Sequence, residues 1–265
     1  MSNNKRRHLV LRIKNGSTSE PLMINIYRKK VGNNGIVVMI GGFGDDRNAF
    51  KNICHGLIET KSDTDVCSYS IRGLETDKSF PVFQQILDLQ EVLDLLLTRG
   101  YQNIKLVSTS MGSIAMTAVL VDKKYKEFIS SGIYLDPADY YLKFDVLEEP
   151  ETWSGYKKYE PTQPTVSTLL KNLDTNVKIS VVSFALKNCV EDKYFFSANS
   201  ERGVDIPKGH SRLSIEMTKS FFENTPSKNK GRYIENKTLP HGFERDGDVN
   251  RNESEILGII INLLK

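Results

Sequence analysis

The sequence predicts an α/β fold: a doubly wound, mostly parallel sheet flanked by helices, in a single domain over residues 1–265. Three observations point there. Strand-like and helix-like segments alternate from residue 36 onward with short connections, as successive β-α-β units do. The stretch "GIVVMIGGFG" at 35–44 is a continuous apolar run that breaks into glycines, which is how a strand buried on both faces reads. Over 82–99, "VFQQILDLQEVLDLLLTR" sets Ile86, Leu89, Leu93 and Leu96 on one helical face, and Gly100 follows where a helix stops.

The remaining elements follow in order. "HLVLRIKNG" and "PLMINIYRKK" alternate apolar with polar residues and predict half-exposed, antiparallel strands ahead of the parallel region. "AFKNICHGLIE" predicts a helix and "DVCSYSIRGL" a strand. "NIKLVS" is the next strand, 111–121 the next helix, and "FISSGIYLDPA" and "VKISVVSFA" are further strands. "SRLSIEMTKSFFEN" predicts a helix and "GRYIENKTLPHGF" a strand and turn. In "NESEILGIIINLLK", Asn252 and Glu255 have the spacing of a capping pair. Residues 140–176 have no clear period and predict a small cap or excursion from the sheet, ending in a short helix at "VSTLLKNL". Its aromatics Tyr140, Tyr141, Phe144, Trp153, Tyr156 and Tyr159 suit either a pocket lining or anchors for the loop.

Composition narrows the function classes. With 36 basic and 33 acidic residues mixed along the chain, the net charge of +3 offers no basic stripe for nucleic acid or an anionic membrane. Three cysteines, Cys54, Cys67 and Cys189, are an odd number without C-x-x-C spacing, which fits a reducing compartment. The apolar run at 9–11 is too short for a signal-peptide core. "EILGIIINLLK" is about half the length that crosses a bilayer. The expectation is a cytoplasmic protein without a membrane span. The carboxylates and histidines show no metal-site spacing, and "SIRGLETDKS" lacks the glycines and lysine of a phosphate loop, so no cofactor is implied. Asp45 and Asp46 are expected to cap the helix after the glycine turn.

"LVSTSMGS" at 106–113 holds the chemistry. A nucleophile elbow needs a strand, a sharp turn that strains the serine, and a helix at once, with small residues two positions either side. Ser110 meets this with Gly112 after it and Ser108 before it, although glycine usually stands at the earlier place. The pentamer also fits an ordinary loop serine, so chain order decides. A glycine turn follows the first buried strand, and its backbone N–H groups could join that of Met111 in holding an oxyanion. Of four histidines, His241 in "TLPHGF" alone lies past the last predicted strand, where a general base could meet the serine.

On these residues the chain resembles the α/β-hydrolase superfamily over roughly residues 20 to 265. Gly41-Gly42-Phe43-Gly44 is similar to the family's H-G-x-G oxyanion loop with glycine in place of histidine. The resemblance implies Phe43 and Met111 as oxyanion donors, Ser110 as nucleophile and His241 as base. "SYSIRGL" and "SGIYLDPA" resemble the family's neighbouring strands. The family's usual acid position, after "KISVVSFA", is occupied by Asn188, which can orient a histidine but carries no charge. Asp192, four residues on, is the first choice for the acid. Asp205 in "DIPKGHSRL", Asp136 in "YLDPA" and Glu191 compete with it. The function implied is hydrolysis of a carboxylic ester or thioester through an acyl-enzyme. Acyl transfer by the same intermediate, and a non-catalytic ligand- or partner-binding domain, stand as alternatives.

Overall fold

The computed structural model describes residues 7–14, 21–30, 32–42, 45–61, 63–72, 82–138, 166–184, 215–240 and 248–265. In chain order the elements are β1 (Arg7–Ile13), β2 (Leu22–Arg28), β3 (Gly35–Ile40), α1 (Lys51–Thr60), β4 (Thr64–Tyr69), α2 (Val82–Thr98), β5 (Asn103–Thr109), α3 (Gly112–Val121) and β6 (Ile129–Leu135). A short 3-10 helix (Val166–Asn172) precedes β7 (Lys178–Phe184), α4 (Ile215–Asn224), β8 (Lys230–Asn236) and α5 (Val249–Leu263).

The eight strands form one sheet in the order β1-β2-β4-β3-β5-β6-β7-β8. β1 and β2 pair antiparallel, β2 joins β4 antiparallel, and every pair from β4 to β8 is parallel. From β3 the chain first moves outward to β4, then crosses back through α2 to β5 on the other side. β3 and β5 therefore flank the switch point, and the crevice at their carboxyl ends is where open α/β sheets place ligands.

Two apolar layers explain the continuous runs. Ile36, Val38 and Ile40 face one cluster with α2 and α3, while Val37 and Met39 face the other with α1 and α5. The same alternation splits Leu106 from Val107 and Tyr134 from Ile133 and Leu135. A strand covered on both faces has no polar face to show, so period two is hidden in its sequence. β2 also departs from expectation. β1 alternates as predicted, but β2 is buried along most of its length because β1 and β4 pair on either side and helices cover it.

α2 is held to the end of β4 by a buried ion pair. Asp88, with no exposed surface, accepts from Arg72 N–H at 2.7 Å, Arg72 Nε at 2.6 Å and Gln84 Nε2 at 2.7 Å. Burial still pushes the Asp88 carboxyl up, against those hydrogen bonds and the guanidinium. A well-packed apolar pair could serve stability as well. What the ion pair adds is a fixed register for α2. The two thiols described, Cys54 and Cys67, are free and buried.

Two capping expectations are corrected. α5 starts earlier than predicted: Asp248 is its N-cap, accepting from Arg251 N–H at 3.2 Å, and Asn252 lies inside the helix, buried. An aspartate one turn upstream takes the capping role, and the Glu255 carboxylate turns to β8 instead. Neither Asp45 nor Asp46 caps α1, whose N-cap position is Phe50. Asp46 closes a preceding turn by accepting from Asn48 N–H at 2.7 Å, and Asp45 folds back on the glycine loop. Of the 140–176 excursion only the part from 166 is described. Its Val166, Leu170 and Leu173 join the core beside α3, while 139–165 lie outside the described residues.

Candidate active site

Ser110 stands at the carboxyl end of β5 with φ of +44°. In this left-handed region a Cβ crowds the following carbonyl, so a serine stays there only when its surroundings hold it. They do. Ser110 N–H donates to Leu135 O at 3.2 Å, and Ser110 O accepts from Ser113 N–H at 3.2 Å and Ala138 N–H at 3.1 Å. From Leu106 to Thr117 the residues are buried on both sides of Ser110, and it alone in that span reaches the surface. A polar side chain is thus presented from an otherwise closed turn.

The small neighbours have separate reasons. A Cβ on Gly112 would lie 2.6 Å from Gly41 O and 2.7 Å from Ile40 O, so glycine lets α3 start against the exit of β3. A Cβ on Gly42 would lie 3.0 Å from Ser110 Cβ, which places the glycine loop directly beside the serine. Ser108 is paired with Ile40 and Tyr134 inside the sheet and fully buried. Its φ is not positive, so glycine's conformational freedom is not required at 108. Its Oγ has no hydrogen-bond partner among the described residues.

Met111 leads into α3 with φ −65° and ψ −21° and is buried. Its N–H lies at a helix start, where backbone donors have no intrahelical acceptor and the helix dipole favours negative charge. Phe43 lies outside the described residues, but both of its approaches are held. Gly41 O accepts from the buried Gln85 Nε2 at 2.9 Å, and Gly42 N–H donates to Asp45 Oδ2 at 2.7 Å.

Asp136 is the second non-glycine residue with positive φ among those described, at +45°. It follows β6, the strand next to β5, and is 2% exposed. Its Oδ1 accepts from Phe184 N–H at 2.9 Å, and its own N–H donates to Val182 O at 2.7 Å. Sequence reading gave this aspartate no priority over its rivals. Strain and burial on the serine's own edge are what single it out. Asp192, Asp205, Glu191, Asn188 and His241 all lie outside the described residues.

The approach to His241 is described, and it is pinned. Asn236 Oδ1, at the end of β8, accepts from Thr238 N–H at 2.9 Å and Leu239 N–H at 2.8 Å, and Leu239 is fully buried. Glu255 of α5 accepts from Thr238 Oγ1 and from Asn236 Nδ2, and these bonds hold its carboxyl below the usual glutamate range. A depressed carboxyl stabilises the fold above its unfolded pKa, about 4.3, and that contribution is lost as pH falls through the lower folded value. Glu255→Ala is therefore expected to melt roughly 2–4 °C lower than wild type at neutral pH, with the gap closing below about pH 4. Thermal melts of both proteins across that range check it. A gap that persists at the acid end would show that the charge is not what holds the segment.

No protein-family model and no curated protein matches the sequence. Solved structures do match over nearly the whole chain. The bromoperoxidase from Bacillus anthracis superposes with a TM-score of 0.62 at 14% identity, covering 97% of this chain and 99% of that one. The chain has the α/β-hydrolase fold. Two further neighbours with this fold are Est1E from Butyrivibrio proteoclasticus and the thioesterase domain from the curacin biosynthetic pathway. Est1E gives a TM-score of 0.59 at 12% identity, covering 96% of this chain and 98% of that one. The thioesterase domain gives 0.58 at 10% identity, covering 96% and 99%. Among the described residues, no group of three His, Cys, Asp or Glu could hold a metal ion. No described helix is long and apolar enough to cross a membrane.

Proposed function

We propose that this chain is a serine hydrolase of carboxylic esters or thioesters, with Ser110 as nucleophile and His241 as general base. The observation that carries the reading is the left-handed Ser110 at the tip of the β5–α3 turn, partly exposed where its neighbours are buried. Strain of this kind persists where function holds it. The esterase and the thioesterase among the structural neighbours favour an acyl substrate over other chemistry on this fold.

In the proposed reaction His241 takes the Ser110 Oγ proton as Oγ bonds to the acyl carbon. The carbonyl oxygen, now an anion, is held by the N–H groups of Phe43 and Met111, each worth about 3 kcal/mol in the transition state. Collapse expels the alkoxide or thiolate, to which His241 returns the proton. Water, deprotonated by the same imidazole, then releases the acid and restores Ser110. If an alcohol or amine enters in place of water, the product is a transferred acyl group. Partitioning of the acyl-enzyme between water and an added alcohol measures which is preferred.

Three carboxylates are candidates for orienting His241: Asp192, in the loop where the family places its acid, Asp205 and Asp136. The support for Asp136 is its burial, its strained backbone and its anchoring to β7 on the serine's edge. A fluorophosphonate probe is expected to form a mass adduct on Ser110, absent in Ser110→Ala. Absence of labelling from about pH 6 to about pH 9 would leave a non-catalytic domain of this fold. Whichever of Asp192→Asn, Asp205→Asn and Asp136→Asn slows labelling by on the order of 10⁴-fold marks the carboxylate that faces the histidine.

A further inference from the structure

Asp45 is a buried carboxylate that the reaction above does not use. It is 5% exposed and lies between the two halves of the site. On one side its Oδ2 accepts from Gly42 N–H at 2.7 Å, and its own N–H donates to Gly42 O at 3.4 Å. Gly42 and Asp45 are thus joined twice, once through the backbone and once through the side chain. On the other side the same Oδ2 accepts from Thr109 Oγ1 at 3.4 Å, on the residue that precedes Ser110. The fit is close on each flank. A Cβ on Gly41 would lie 2.6 Å from Asp45 Cβ, and one on Gly42 would lie 3.5 Å from its Oδ2.

We propose that Asp45 is a positioning residue: its carboxylate ties the glycine loop after β3 to the nucleophile turn after β5 and so sets the spacing of the oxyanion site. The inference rests on the serine-hydrolase reading and extends it. Oxyanion donors contribute only when they are already aimed at the place where charge develops, and these donors come from two loops far apart in the chain. Asp45 bridges those loops through Gly42 and Thr109. It also engages the Gly42 N–H. That donor is then directed at the carboxylate and not at the substrate. The surrounding turn is held as well, since Arg47 O accepts from Ser68 Oγ at 2.7 Å and Arg47 N–H donates to Ser70 Oγ at 3.1 Å. Asp45 itself is therefore not free to follow a displaced loop.

The test compares Asp45→Ala and Asp45→Asn with wild type by two readouts. One is the fluorophosphonate labelling rate, resolved into reagent affinity and maximal rate. The other is hydrogen exchange of the Gly42 amide. An asparagine with its amide oxygen in the place of Oδ2 can accept from both Gly42 N–H and Thr109 Oγ1. The alanine variant is expected to label roughly 10- to 100-fold more slowly at unchanged affinity, with Gly42 exchange accelerated. The asparagine variant is expected to stay within about 3-fold of wild type in both. Labelling of Asp45→Ala at the wild-type rate overturns the proposal, whether or not Gly42 exchange accelerates. So does an asparagine variant as slow as alanine, because the charge and not the bridge would then matter. A wild type that never labels overturns the serine-hydrolase reading itself and takes this role for Asp45 with it. The wild-type arm thus separates the two failures.

Discussion

Ser110→Ala is expected to lower ester turnover by on the order of 10⁶-fold, with the melting temperature almost unchanged. Nucleophile and base act as a unit, so His241→Ala should cost about as much and the double variant little more. What survives should be the acceleration over water that binding and the oxyanion donors supply without a covalent step. Stability gives an independent sign. Alanine keeps the Cβ that makes φ of +44° unfavourable, whereas glycine does not. Ser110→Gly should therefore be as inactive as alanine yet melt roughly 2–4 °C higher, since relief of a left-handed L-residue is worth about 1 kcal/mol. Turnover of an activated ester and thermal melts of the three proteins check both halves. Turnover retained in Ser110→Ala would move the nucleophile elsewhere. Equal melting of the glycine and alanine variants would mean that the serine's strain is not borne by its backbone.

Gly112→Ala should damage fold and activity together. The added methyl would meet two backbone carbonyl oxygens, Gly41 O at 2.6 Å and Ile40 O at 2.7 Å, besides Ile40 Cγ2 at 3.1 Å. Neither oxygen can swing aside as a side chain would, and Gly41 O already accepts from Gln85. Overpacking costs about 1–3 kcal/mol, and a backbone clash belongs at the upper end, a fall of roughly 5–10 °C. To relieve it α3 must move away from β3, which carries Ser110 away from the glycine loop. A shift approaching 1 Å at reacting groups is worth roughly 10²-fold in rate. Gly100→Ala is the control. Its φ is +87° with open space around it, so it should cost stability through backbone strain alone and leave labelling of Ser110 intact. Melts and labelling rates of the two alanine variants separate a clash at the elbow from a general loss of glycine.

Much of the fold was legible in the residues. The run "GIVVMI", the Leu-rich face of 82–98 and the glycine at 100 each predicted the element observed. The strand-turn-helix around Ser110 was legible from the small residues that flank it. Where reading failed, the helix start lay a few residues from the one expected. Asp248 capped α5 where Asn252 was expected, and Phe50 heads α1 where an aspartate was expected. Such choices turn on backbone geometry at the helix start, which residue type alone does not fix. The serine at 108, small enough to stand where glycine is usual, is accommodated because the backbone there is ordinary strand.

The sequence by itself determined the layered α/β architecture and the strand-turn-helix around Ser110. Each of these is set by local periodicity or by residues within one turn of one another. Only the tertiary structure decided that Gly42 lies against Ser110, that Asp45 joins the glycine loop to the elbow and that Asp136 shares the serine's edge in a strained, buried conformation. Those relations hold between residues brought together by the parallel crossovers. The strand order around the switch point at β3 and β5 fixes them, and nothing in the local pattern records it.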